Sequence, residues 1–165
     1  MHEKKTHNIF YGNFDSFKIA CSEQNLRNSE VAEKAFSSTR WKNRQRAFLN
    51  MSQDGRSPRS SIIPSFLADH KEIDSILDIG GGSGWIFNLL QIATDRNFTY
   101  WNFELSEMCE EFSKEFDNSN KVHFIDSWNL FSNLNEISLI YSNSTMQYIP
   151  DDIFFENLSK VNQPR

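Results

Sequence analysis

Ile76-Leu77-Asp78-Ile79-Gly80-Gly81-Gly82-Ser83-Gly84 decides the fold. Ser75–Ile79 is a short aliphatic run and predicts a buried strand. Gly80–Gly84 is a glycine-rich turn. Trp85–Thr94, with Ile86, Phe87, Leu89, Leu90 and Ile92, predicts a largely buried helix. Glycines between strand and helix let the backbone bend tightly and let a ligand approach the main chain. The helix then aims free N–H groups and the positive end of its dipole at that spot, which favours an anion. In an open parallel sheet, ligands bind at the carboxyl ends of the strands.

Downstream, short apolar runs alternate with amphipathic stretches. Phe98–Phe103 predicts a second strand and Ser106–Phe116 a helix, with Met108, Phe112 and Phe116 at near-helical spacing. Asp117–Asn120 is a loop. Val122–Ile125 predicts a third strand, a short helix follows near Trp128, and Ile137–Ser142 predicts a fourth strand. Pro150–Val161 predicts a helix opened by Pro150, Asp151 and Asp152, with Phe154, Leu158 and Val161 along one stripe. Such crossovers imply an α/β fold, a Rossmann-like parallel sheet with helices on both faces.

Residues 1–70 differ in character: rich in Ser, Asn and charge, without a clear strand. They predict an N-terminal helical extension to a core at 71–165. One helix is expected from Ser29, as cap, to about Met51, and a second from Arg59 to His70, with Pro64 near its start. The sequence reaches Arg165 just after a helix, where a fifth strand is expected. An edge strand left unpaired is an aggregation hazard. The expectation is therefore a piece of a longer protein, or a second copy or partner chain covering that edge.

Composition excludes several classes. Fifteen Phe residues and 14% aromatics argue for a folded chain despite only 38% apolar residues. A net charge of −5 argues against general attraction to nucleic acid or an anionic membrane. The most apolar window, Trp85–Ile92, falls far short of the ~20 residues of a membrane span. The polar N-terminus is no secretory signal. Cys21 and Cys109 lie far apart without a CxxC partner, which argues against a disulfide framework or a Cys-rich zinc site and for a cytoplasmic protein. The four His residues lack metal-ligand spacing, and His123 and Cys109 read as structural.

A dinucleotide site would need a third glycine at position 85, which is Trp85. G-x-G-x-G with Asp78 two residues ahead instead matches enzymes that use S-adenosylmethionine (SAM). There the loop meets the amino-acid end of the cofactor. Glu104 ends the second strand, 20 positions after Gly84, where a carboxylate can accept both ribose hydroxyls and would repel a 2′-phosphate. Asp126-Ser127, ending the third strand, would meet the adenine edge or else cap the helix before Trp128. Ser142 and Asn143 begin a small polar loop that would line the cofactor and the acceptor entrance, with Gln147 and Tyr148 further along. Arg40-Trp41-Lys42-Asn43-Arg44-Gln45-Arg46 is a grip on a phosphorylated or acidic acceptor, through Arg44, a nucleic-acid patch, or a solvated helix face.

Taken together, Tyr11–Phe17, Asp78–Gly84, Glu104, Phe124-Ile125-Asp126-Ser127 and Ser142–Pro150 resemble class I SAM-dependent methyltransferases. More narrowly, they resemble a methyltransferase family, assigned mainly from sequence, that occurs with bacterial surface-polysaccharide biosynthesis. The resemblance covers about residues 9 to 162. It implies SAM contacts at Asp78, Gly80, Gly82, Glu104 and Asp126, joined on the residue reading by Gly81, Gly84, Ser127, Ser142 and Asn143. It implies a small-molecule or glycan-linked acceptor and supplies no catalytic base. Two other readings stand beside it: a non-catalytic SAM-binding fragment whose sheet another chain completes, and an NAD-binding oxidoreductase, which Trp85 weakens.

Overall fold

The computed structural model describes residues 34–57, 63–116, 119–134, 136–143, 145 and 148–161. Four parallel strands form one sheet: β1 (Ser75–Ile79), β2 (Thr99–Phe103), β3 (Val122–Ile125) and β4 (Leu139–Ser142), in the order β3-β2-β1-β4. The chain steps outward from β1 to β2 to β3, then returns to lay β4 along the free side of β1. The reversal leaves a crevice at the carboxyl ends of β1 and β4, where doubly wound sheets bind ligands. This is the α/β, Rossmann-like parallel sheet expected.

β1 is buried on both faces, which is why it reads as a continuous apolar run rather than an alternation. Alternate residues feed two cores. On one face, Ile76 and Tyr100 pack with Leu49, Leu67, Leu90 and Phe112 from the flanking helices α1 (Thr39–Gln53), α2 (Ile63–Asp69), α3 (Trp85–Thr94) and α4 (Ser106–Phe112). On the other, Leu77, Ile79, Phe103 and Ile125 pack with Phe131 and Phe154. These last two belong to the 3₁₀ helix Trp128–Asn133 and to α5 (Asp151–Leu158). α1 and α2 both rest on α3, so the N-terminal helices share the core of the sheet.

The expected bounds need adjustment in places. Residues 34–36 are helical, but Ser38 leaves the helix with ψ 148° and starts α1 afresh. Its hydroxyl donates to Ala35 O (2.5 Å) and accepts from Trp41 N–H (3.3 Å), so the cap is Ser38 and no helix runs unbroken to Met51. Ser29 lies outside the described residues, as do Tyr11–Phe17, Cys21 and residues 59–62 of the second expected helix. Pro64 is the second residue of α2, where its missing N–H leaves no intrahelical bond unmade. The helix expected to Phe116 tightens into a 3₁₀ turn, Ser113–Phe116, after α4. The second and fourth strands begin one and two residues later than expected, at Thr99 and Leu139.

α1 is tied to α4 by Arg46, whose guanidinium pairs with Glu111 and Glu115 at 2.6 Å each and covers the Phe112 ring. All three charged side chains are well solvated, so the pairs contribute little beside the rings beneath them. Phe112→Ala is expected to lower unfolding free energy by about 3–5 kcal/mol, because it empties a fully buried site. Arg46→Ala should cost about 1 kcal/mol or less, and less still in high salt. Urea denaturation of the two variants measures the contrast.

Candidate functional site

The site begins where β1 ends. Gly80 N–H still donates to Phe103 O (2.8 Å), so the turn leaves the strand while held to β2. Gly80 and Gly82 then take φ +78° and +60°, the left-handed region that L side chains avoid. Three parts of the chain press on this turn. A Cβ at Gly80 would lie 2.0 Å from Thr145 Oγ1, one at Gly81 2.1 Å from Asn102 Oδ1, and one at Gly82 2.4 Å from Gln45 Oε1.

Each of those neighbours also clasps the turn. Asn102, opposite Asp78 in the β1–β2 register, donates Nδ2–H to Gly82 O (3.0 Å). Gln45 Oε1 accepts from Ser83 N–H (3.2 Å), and Ser83 Oγ–H donates to Gln45 O (3.0 Å). Thr145 Oγ1 reaches Gly80 O at 3.5 Å. Asn102 Oδ1 is buried against Gly81 with no hydrogen-bond partner among the described residues.

Two carboxylates stand behind and beside the turn. Asp78 is 1% exposed and accepts a hydrogen bond from Tyr100 O–H. Burial pushes its pKa up to about 7, the nearby Glu104 charge adds to the rise, and the tyrosine bond opposes it. Burial raises the Tyr100 phenol well above its ordinary range too. Glu104 follows β2 and faces the turn directly. Its Oε2 accepts from Gly82 N–H (2.9 Å) and its Oε1 from Leu105 N–H (3.0 Å). Burial raises its pKa and these two bonds pull it back. Each carboxylate oxygen has a second lone pair free for a further donor.

Two adjoining cavities open on the turn, of about 450 and 280 Å³. Both fall near the range of small-molecule sites, roughly 300–1,000 Å³. They share Phe36, Gly80, Glu104, Thr145 and Tyr148 as walls. Phe36 and Tyr148 meet edge to face at 5.2 Å. The larger cavity extends past Glu104 to Asp126, Trp128 and Ile149. The smaller runs along Gly80–Gly82 to Asp78, Asn143 and the α1 side chains Trp41, Arg44, Gln45 and Phe48.

The structure therefore gathers Asp78, Gly80, Gly81, Gly82, Glu104, Asp126, Asn143, Tyr148 and Arg44 around one cleft. Gly84, Ser127 and Ser142 line neither cavity. Gly84 starts α3 against Phe116 and Phe124. Ser127 accepts from Asn129 N–H (3.3 Å), capping the 3₁₀ helix. Ser142 Oγ–H donates to Ile79 O (3.0 Å), joining β4 to β1. Gln147 lies outside the described residues. Asp126 accepts from Ser106 Oγ–H at 2.6 Å. Gln45, Phe36, Phe48 and Trp128 carried no local signal of a role here; only the folded chain brings them to the turn.

His123 stacks on Trp101, and burial pushes the Cys109 thiol up to about 12, so neither is poised for chemistry. Among the described residues, no cluster of three or more His, Cys, Asp or Glu is placed to hold a metal ion. No helix among them is long and apolar enough to cross a membrane.

Solved methyltransferases share this fold. A candidate S-adenosyl-L-methionine-dependent methyltransferase of Methanococcus maripaludis aligns with a TM-score of 0.52 at 18% identity, over 73% of this chain. The plantazolicin methyltransferase BpumL, solved with S-adenosylhomocysteine (SAH), aligns with a TM-score of 0.60 at 16% identity, over 88% of this chain. The alignment covers 58% of the length of each. At such identities the likeness establishes the fold. No protein-family model and no curated protein matches the sequence.

Asp78 gives the site a pH signature. Its folded pKa of about 7 lies above the ordinary value of 3.8, so the folded state holds this proton more tightly than the unfolded state. The stability it contributes is complete below about pH 4 and is lost as pH rises to about 7. Asp78→Asn keeps an acceptor for Tyr100 and removes the titration. The stability of the parent relative to this variant is expected to fall between pH 4 and 7, as followed by urea unfolding across that range.

Proposed function

We propose that this chain binds SAM in the cleft and is a SAM-dependent methyltransferase, or the cofactor-binding part of one. The observation that carries the reading is the pairing of a main-chain glycine cradle with Glu104 across β1 and β2. Gly82 N–H already orients that carboxylate, and its remaining lone pairs suit two neighbouring hydroxyls of a ribose. The wider cavity beyond it, with Trp128 as a flat wall and Asp126 at its edge, suits a purine. The smaller cavity, along the glycine turn, suits the amino-acid end. Glycine at 80 and 82 lets Thr145 and Gln45 pack directly on the turn, so a ligand beside it would meet main chain together with those two side chains.

When bound, SAM supplies a methyl group on a positively charged sulfur. What the protein adds is placement. An in-line displacement from an activated donor is accelerated chiefly by alignment and exclusion of water, so a dedicated base is not demanded by these residues. Phe36 and Tyr148, shared by both cavities, give an aromatic wall suited to holding an acceptor against the donor. A small-molecule or glycan-linked acceptor, within surface-polysaccharide biosynthesis, is the class this reading takes. The free Cys109 fits a reducing, cytoplasmic setting.

The outer edge of β4 supports a second reading. No strand among the described residues pairs with it, and Ile140 is 40% exposed there. A sheet continued by further strands, from this polypeptide or another, would make the present chain a binding module that acts only in the larger assembly. NAD is disfavoured, because position 85, where a dinucleotide loop has its third glycine, is a buried Trp packed near Phe48.

Calorimetry tests the cofactor. SAM and SAH are expected to bind, and NAD not to. Glu104→Ala, which removes charge-assisted bonds, should weaken SAH binding by about 10- to 100-fold. Gly82→Val, which drives a branched side chain into Gln45 at positive φ, should abolish it. Tight NAD binding without a response to SAM would overturn the proposal.

A further inference from the structure

Of the three arginines of α1, Arg44 and Arg46 face different ways. Arg46 turns to α4 and is satisfied by two carboxylates. Arg44, two residues earlier and so about 200° around the helix, turns the other way. It lies on the face that also carries Trp41 and Phe48, three and four residues away, with Gln45 the next residue along the helix. Its guanidinium sits 5.4 Å from the Trp41 ring centre and 5.3 Å from that of Phe48. Among the described residues, no carboxylate pairs with it.

That face is the wall of the smaller cavity, and the next residue bolts it to the glycine turn. Gln45 bonds both the N–H and the hydroxyl of Ser83 and rests on Gly82. The position of Arg44 relative to the turn is therefore fixed through one residue of helix. Among the described residues lining this cavity, Arg44 is the sole cation, and Asp78 and Glu104 are the anions. The cavity thus has a cationic wall on the α1 side and an acidic wall at the β1 and β2 ends.

The geometry points to Arg44 as the group that takes the α-carboxylate of SAM. The assignment rests on the cofactor reading above and adds to it which end of the ligand meets α1. An amino-acid end bears an ammonium and a carboxylate together, and the acidic β1–β2 side repels the carboxylate. The planar guanidinium fork offers it two parallel donors, and the two rings hold the fork ready. α1 then becomes part of the cofactor site, and Trp41 and Phe48 act as positioning residues for the guanidinium.

The test compares two probes on the full chain by calorimetry: SAH, which carries the amino-acid end, and methylthioadenosine, which lacks it. Arg44→Met keeps an apolar stem over the rings and removes the charge. It is expected to weaken SAH by about 10- to 100-fold, the range for a lost charge-assisted pair, and to change methylthioadenosine less than 2-fold. Arg44→Lys, a point charge without the fork, should restore part of the SAH affinity. A Met variant that binds SAH like the parent overturns the assignment and hands Arg44 to the acceptor. Equal loss of both probes overturns it as well, since that marks a structural role. If the parent binds neither probe, the cofactor reading fails and takes this assignment with it.

Discussion

Three glycines in a row hold a turn into which three distant parts of the chain are pressed. Thr145 follows β4, Asn102 belongs to β2, and Gln45 belongs to α1, and each occupies space that a Cβ at Gly80, Gly81 or Gly82 would need. The turn is therefore more than a flexible joint. It is a close-packed junction whose shape is set by steric exclusion and whose polar groups are divided among those neighbours. Gly82 shows the division: its N–H goes to Glu104 and its C=O to Asn102. One residue thereby fixes the end of β1 against the end of β2 through two side chains.

This junction also explains the electrostatics. Asp78 and Asn102 face each other in the register, both almost fully buried, directly behind the turn. A carboxylate in such a place is costly, and its pKa rises accordingly. Tyr100 repays part of the cost, and Glu104 adds to it, because a second carboxylate in the same low-dielectric region disfavours the charge on the first. Among the described residues that line the smaller cavity, the charged groups on the sheet side are the two acids Asp78 and Glu104.

Much of this was legible in the sequence, and the boundary of legibility has a physical cause. β1, β3 and α3 fall on their expected residues, because a short aliphatic run ended by Gly-Gly-Gly leaves one local solution. Glu104 and the glycine turn were readable because strand length fixes how far apart two strand ends lie. Ser38 was not singled out as the cap of α1 because several Ser residues precede that helix, and only the folded chain shows which hydroxyl reaches Trp41 N–H; Ser29 lies outside the described residues. Gly84, Ser127 and Ser142 sit beside the cleft but turn their bonding groups to caps and strand ties, a choice that local sequence leaves open. Gln45 and Phe36 were invisible as site residues. Their roles depend on where α1 docks, and docking is set by a core that Leu49 enters from the far side of the sequence.

The docking of α1 thus adds a wall of side chains to the open end of the sheet. A bare β1–α3 turn offers main-chain N–H groups, a helix dipole and an adjacent acid, and such a cradle is open to solvent above. α1 supplies a lid edge of aromatic rings and a polar clasp at Ser83, and it does so with a helix whose opposite side is held to α4 by Arg46. The basic stretch Arg40–Arg46 therefore splits by helical phase. Arg46 lies against α4 over the Phe112 ring, and Arg44 lines the cavity. A sequence that reads as one run of charge becomes, at 100° per residue, two devices pointing in nearly opposite directions.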